Sequence, residues 1–232
     1  MTGALKVGTS EIEVRLKRNK RAKRLTLRVS AIDGKPVLTL PYHATVTAAQ
    51  KFLDTQQTWL QNQLAQAAPL VLVGPGAVIP FQGEKLVVTP HGKTGTKLAP
   101  GHILTPGHKH TGQSVARFLI RRARIASTGH CNYYADKLGR QFGKISLRDP
   151  RSRWGSCSSE GNLMFSWRLV MAPAKVLEYV VAHEIAHLHE MNHSPAFWQT
   201  VADLMPEYER HQNWLKLNGA ILHRLDFKAG LT

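Results

Sequence analysis

Two histidines and a glutamate, His183-Glu184-Ile185-Ala186-His187, stand at a spacing that can hold a metal ion. On a helix, residues four apart share a face. Both imidazoles can then offer a ring nitrogen to one zinc ion, and Glu184 lies beside it, placed to take a proton from water. Beyond them stands His193, a candidate third ligand. Three protein ligands and one open position describe a catalytic zinc site, whereas a structural site is normally closed by four ligands, often cysteines.

The helix these residues need is legible around them. Pro173 suits the first turn of a helix, where its missing N–H costs nothing. Val176, Leu177, Val180, Val181, Ile185 and Leu188 then keep an apolar stripe at helical spacing. The bland alternative is an amphipathic helix that carries its histidines by chance. Against it, a polar His-Glu-His cluster on a packed helix needs a partner, because buried polar groups left unsatisfied are costly.

The third ligand is open between two residues. His187 to His193 has the spacing of the H-E-x-x-H-x-x-G-x-x-H pattern, but Glu190 stands where that pattern has glycine, so the chain must turn differently. Asn192 can take the left-handed conformation that ends helices. Ser194-Pro195 reads as an N-cap followed by Pro at N1, opening a helix through Phe197, Trp198, Val201 and Leu204. His193 then falls in the tight turn between two helices. Glu207 is the rival. His189 faces the far side of the helix, and Glu190 is expected in solvent.

A length of 232 residues permits one large or two small domains, and 43% hydrophobic residues suffice for a real core. No run of about 18 apolar residues suggests a membrane span. Met1 to Ser10 lacks the apolar core of a signal peptide. Two cysteines, Cys131 and Cys157, are too few for a disulfide scaffold and fit a reducing, cytoplasmic setting. The net charge of +16 favours polyanionic partners. Arg15, Lys17, Arg18, Lys20, Arg21, Lys23, Arg24 and Arg28 crowd one early segment; Arg117, Arg121, Arg122 and Arg124 crowd a later one. These read either as a nucleic-acid surface or as a solvated face.

The order of elements predicts an α+β fold. Ile12, Val14 and Leu16, then Leu25, Leu27 and Val29, alternate with charged residues as half-exposed strands do. Asp33-Gly34 marks a turn before a strand at Val37–Leu40. Thr45 or Thr47 can cap a helix through Phe52, Trp59, Leu60 and Leu64. Short strands are expected at Val78–Phe81 and Leu86–Thr89, and a long helix from Ser114 to a Gly139 cap. Strands at Lys144–Arg148 and Leu163–Leu169 precede the His-Glu helix, and Gly219 is expected to end the last helix. A boundary near residue 112 would separate a β-rich basic region with one helix, 1–112, from a second domain, 113–232, that holds the His-Glu helix.

The segments Arg151-Ser152-Arg153-Trp154-Gly155-Ser156-Cys157-Ser158, Trp167-Arg168-Leu169, Tyr179 to Glu184, Asn192-His193-Ser194 and Phe197-Trp198 resemble the YgjP-like metallopeptidase family. That family is related to the SprT-like and WLM zinc peptidases. The resemblance implies that 113–232 is a compact zincin-like metallopeptidase domain with His183, His187 and His193 on zinc and Glu184 as catalytic base, and it supports His193 over Glu207. Of these segments, the first has a physical reading of its own. Gly155 permits a sharp turn, Trp154 can pack beside the metal helix, and Arg151 or Arg153 can reach a carbonyl or carboxylate near the cleft. Cys157 and Cys131 read as small buried hydrophobes.

The leading expectation is a zinc metallopeptidase acting on protein or peptide, with the strand Leu163–Leu169 as cleft rim and Tyr179, Tyr208 or an arginine stabilising the oxyanion. One alternative is a metal-dependent nucleotide pyrophosphatase. It suits the charge, but no G-x-x-x-x-G-K-[ST] loop is present. The other is a nucleic-acid-associated protein with a structural zinc.

Overall fold

In the first strands, apolar residues at every second position face one way. Val14 and Leu16 of one strand and Leu38 and Leu40 of another are buried, while Arg15 and Lys17 between them are exposed. The computed structural model describes residues 4–7, 12–30, 34–66, 70–92, 95–107 and 109–227. Its strands β1 (Ala4–Lys6), β2 (Glu13–Asn19), β3 (Thr26–Val29) and β4 (Pro36–Pro41) form a sheet in the order β1-β2-β4-β3. β2 and β4 run parallel; the other pairs are antiparallel. Of the expected Asp33-Gly34 turn, Asp33 lies outside the described residues.

Thr45 caps α1 (Val46–Thr55) by accepting from the Ala48 N–H, and α2 (Gln57–Gln66) follows. Ala49 and Leu53 of α1 and Leu60 of α2 close the apolar side of this sheet into a small core of its own. These elements make one compact unit, Met1–Leu70.

The second unit is Val71–Thr232. The division therefore falls well before the expected residue 112. The reason is packing. After β5 (Val71–Leu72), the strands β6 (Val78–Phe81), β7 (Glu84–Pro90), β8 (Lys97–Ala99) and β9 (His102–Thr105) form a sheet ordered β6-β7-β9-β8. Its Ile79, Phe81, Leu86, Val88 and Ile103 belong to the same apolar core as the helices that follow.

That core is organised by α3 (Thr111–Leu138), whose Val115, Phe118, Leu119, Ala123, Cys131 and Tyr134 are buried. Gly139 ends it in the left-handed conformation, φ 64°, as expected of a C-cap. Its start differs from expectation: Ser114 is buried inside the first turn, bonded by Arg117, and does not cap.

Strands β10 (Ile145–Arg148), β11 (Gly155–Cys157) and β12 (Leu163–Ser166) form a sheet ordered β10-β12-β11. The expected strand Leu163–Leu169 is shorter, because the chain coils into a 3-10 turn over Trp167–Met171. α4 (Ala174–Ala186), α5 (Pro195–Leu204) and α6 (Tyr208–Leu222) follow, and β13 (Leu225–Asp226) returns to pair in parallel with β5. Arg168 ties this return down. It forms an ion pair with Asp149 at 2.6 Å and donates to the carbonyls of Leu222 and Leu225. Gly219 lies inside α6, not at its end. A Cβ there would stand 2.8 Å from Trp154 Cζ2, so the glycine lets the indole seat against the helix.

No helix among the described residues is long and apolar enough to cross a membrane. The architecture is α+β, with the β-rich part first, as the order of motifs predicts.

Candidate metal centre

His183 lies in the last turn of α4 and His187 is its C-cap, so both side chains project from one face. The helix then stops without any left-handed residue: Asn192 does not have positive φ, contrary to expectation. Leu188, His189 and Glu190 close the end through N–H bonds to the carbonyls of Ile185 and Ala186. Asn192 acts through its side chain instead. It accepts from the Ser194 N–H at 2.8 Å and donates to the Glu190 carboxylate at 2.7 Å. Ser194 caps α5 from the Phe197 N–H, with Pro195 at the first position, as expected. This short, cross-braced loop delivers His193 back to the other two histidines.

The three imidazoles each place one nitrogen within 4.8 Å of the others. His183 Nε2 and His193 Nε2 are 3.2 Å apart. His187 commits Nδ1 to the Glu190 carbonyl at 3.0 Å, leaving Nε2 for the cluster. A backbone partner on the far nitrogen is what fixes a ligand's tautomer and orientation. Metal–nitrogen bonds of 2.0–2.1 Å in a tetrahedron put ligand nitrogens about 3.4 Å apart, so the geometry fits a metal ion. Burial, and then the neighbouring imidazoles, push His183 down to about 3; burial also lowers His187. Both therefore hold the neutral form that binds metals.

His183 is oriented differently from His187. Its Nδ1 is buried and has no hydrogen-bond partner among the described residues. Rings enclose it instead: Phe197 at 4.9 Å, Trp198 at 5.6 Å and Tyr179 at 6.0 Å between centroids. Tyr208 stacks on both Trp198 and Tyr179.

Glu184 is 5% exposed. It sits against β11, where a Cβ on Gly155 would come within 2.5 Å of its Oε1. Gly155 thus serves by lacking a side chain, not by turning the chain sharply; its φ is not positive. Burial pushes the Glu184 carboxyl up to about 8, offset by the positive charge of Arg153 and an N–H bond from Cys157. The Cys157 thiol is pushed up to about 11 by burial and by Glu184, and Cys131 to about 12 by burial. Neither is an activated nucleophile.

A cavity of about 250 Å³ opens over this group, walled by Gly155, Ser156 and Cys157 on one side and by the histidines, Glu184 and Met191 on the other. The strand at this cleft is β11. β12, expected as the rim, is sandwiched between β10 and β11 with both edges paired. In the antiparallel ladder Ser156 pairs with Met164, so the N–H and C=O groups of Gly155 and Cys157 turn away from β12. Nothing in the sequence marked Met191 as part of the wall.

Other candidates stand elsewhere. Glu207 is exposed and lines a separate cavity with Lys175, Arg210 and Trp214. His189 is exposed, as expected. Trp154 packs on His223, at 4.8 Å, and on Gly219 of α6. The Tyr179 hydroxyl is bonded to Gln212 and that of Tyr208 donates to Glu209 at 3.4 Å; neither residue lines the cleft cavity.

The YgjP-like metallopeptidase domain matches residues 23–218. The chain belongs to the YgjP-like metallopeptidase family. The match begins within the first compact unit, so the family's domain spans both units. This YgjP-like chain is accordingly a metal-dependent peptidase acting on protein or peptide. No curated protein matches it. Solved structures show partial likeness, among them two zymogens. One is the metallopeptidase zymogen of Pyrococcus abyssi abylysin, at 22% identity and TM-score 0.36, covering 40% of this chain and 95% of that one. The other is the zymogen of Methanocaldococcus jannaschii jannalysin, at 18% identity and TM-score 0.35, covering 41% and 96%.

Proposed function

We propose that the chain cleaves peptide bonds with a zinc ion held by His183, His187 and His193, and with Glu184 as general base. The observation that carries this reading is the position of Glu184. Its carboxylate is wedged between the metal-binding histidines and the strand Gly155–Cys157, at the floor of an open cavity. Nitrogen donors suit zinc, whereas magnesium takes oxygens. Among the described residues the histidine trio is the one cluster of three potential ligands. Phosphate chemistry more often employs carboxylate-held magnesium, so this donor set favours a zinc peptidase over the metal-dependent pyrophosphatase, and three ligands beside an open cavity favour catalysis over a closed structural site.

Zinc supplies a Lewis acid that acidifies water and polarises the scissile carbonyl. Glu184 accepts the proton of the attacking water and passes it to the leaving amine. The Cys157 N–H and the missing Gly155 side chain hold its carboxylate in place. The free edge of β11 offers the C=O groups of Gly155 and Cys157 and the N–H of Gly155 to an extended peptide, which can add as a further strand. Arg153, whose charge reaches Glu184, is the arginine best placed to meet negative charge at the cleft.

Metal analysis of single variants tests the ligand set. Alanine at His183, His187 or His193 should each remove most of the zinc, while Glu207→Ala should keep about one ion per chain. Full zinc in all three histidine variants, or its loss in Glu207→Ala, would overturn the assignment. Digestion of a peptide library should stop with a chelator and resume when zinc is restored.

A further inference from the structure

Residues 1–70 hold eleven lysines and arginines against four acidic residues, and the sheet arranges them in space. Arg15 and Lys17 of β2 are exposed on the side opposite the core, about 6.8 Å apart along the strand. Arg15 pairs with Val37 of β4, and Val37 pairs with Arg28 of β3, which is also exposed. Arg15 and Arg28 therefore flank one central strand, about 9.6 Å apart across the sheet.

The topology extends this row. β2 and β4 are parallel and β3 is antiparallel to β4, so the ends of β2 and β4 and the start of β3 all lie at one edge of the sheet. Lys20, Arg21, Lys23 and Arg24 emerge there, all exposed. So does Tyr42, which is 61% exposed with Lys20 Nζ 5.8 Å from its ring centroid. Arg18 has a different task. It donates to the carbonyls of Tyr42 at 2.7 Å and Ala44 at 2.8 Å, and so fixes the loop that presents the tyrosine.

We propose that this sheet face and the basic turn at its end form a binding surface for single-stranded nucleic acid. A row of cations at phosphate-scale spacing leads to an exposed aromatic ring braced from behind, and these are the two parts such recognition uses: charge for the backbone and a flat ring for a base. Charge alone would equally attract an anionic membrane; the exposed Tyr42 ring, whose loop Arg18 fixes, favours a stacking base as its partner. The surface belongs to the first unit and the three candidate metal ligands to the second.

The test is fluorescence anisotropy of a labelled oligothymidylate of about 20 nucleotides, titrated with the full chain across a salt series. Binding should weaken steeply with salt. The triple variant Arg15→Gln, Lys17→Gln, Arg28→Gln should flatten the log–log salt slope by about 2, at roughly 0.7 for each phosphate that is no longer neutralised. Tyr42→Leu should weaken binding at least about fivefold and leave the slope unchanged. Both variants alter exposed groups, and both should keep wild-type circular dichroism, metal content and peptide hydrolysis. The proposal is overturned by absence of binding at low salt, by a wild-type slope in the triple variant, or by wild-type affinity in Tyr42→Leu. Tighter binding to a duplex of equal length, or binding to anionic vesicles or polyglutamate but not to the oligonucleotide, would overturn it equally.

Discussion

Gly155 has no chemistry of its own, yet the position of Glu184 depends on it. An added methyl would occupy space 2.5 Å from Oε1 and 2.7 Å from Cγ, and both the strand and α4 are packed from behind. Gly155→Ala should therefore displace the carboxylate and lower kcat/KM by roughly a hundredfold, the scale of an ångström's misplacement of a catalytic group. Metal content should stay at the wild-type level, because no ligand is touched. Trp198 works on the opposite side. With His183 Nδ1 unpartnered among the described residues, ring packing holds the imidazole. Trp198→Ala should weaken metal affinity by about tenfold, and Trp198→Phe should restore most of it, read by competition with a chelator. Equal affinity in wild type and Trp198→Ala would show that the cage does not orient the ligand. The sequence displayed His183, Glu184 and His187 at once, because helical spacing converts directly into a shared face. It did not display the role of Gly155 or the wall residue Met191, since these follow from where a distant strand and a loop arrive.

At the scale of elements, what matters is how each helix is stopped and seated. Ser194 and Asn192 brace the loop that carries His193. Ser194→Ala should cost about 1 kcal/mol of stability through the lost cap, with a larger proportional loss of metal affinity than of fold. Gly219 seats α6 on Trp154, and Gly219→Ala should destabilise by about 1–3 kcal/mol through overpacking, measured by denaturant unfolding. His223, one residue past α6, packs at a tilt on Trp154 and is pushed down to about 4 by burial, with Arg168 nearby adding to it. Its stabilising neutral form is complete above the unfolded value near 6.5. That contribution is lost as pH falls from there toward 4, because the unfolded chain takes the proton first. His223→Gln should flatten the loss of stability across that window. Caps and turn residues such as Thr45, Gly139 and Ser194-Pro195 were legible in the sequence because their chemistry is local. The burial of β12 between two strands was not, since strand order is set by pairing across distance. For the same reason Gly219 read as a terminator, its partner Trp154 being remote in sequence.

At the scale of the molecule, two cores divide the chain at Leu70. A boundary near 112 suggests itself in the sequence because the short strands at Val78–Phe81 and Leu86–Thr89 read as a continuation of the β-rich first part, while their alternating apolar residues in fact complete the larger core. All three candidate metal ligands, His183, His187 and His193, lie in the second unit. Chelation should therefore lower the thermal transition of the 71–232 unit and leave that of the first unchanged. Metal held at a thousand times its Kd would account for about 4 kcal/mol, and differential scanning calorimetry reads both transitions. A single transition that moves as a whole would show the two units to be one cooperative body.

The central claim is that Glu184 is the base of a zinc peptidase, and Glu184→Gln tests it most directly. Glutamine keeps the size and hydrogen-bonding shape of the side chain and cannot take the proton. Zinc content by mass spectrometry and cleavage of a fluorogenic peptide should be measured on the same sample as the wild type. The account predicts about one zinc per chain in both proteins and a rate in the variant lower by about 10²–10⁴-fold. A zinc-loaded Glu184→Gln protein that cleaves at the wild-type rate would contradict it.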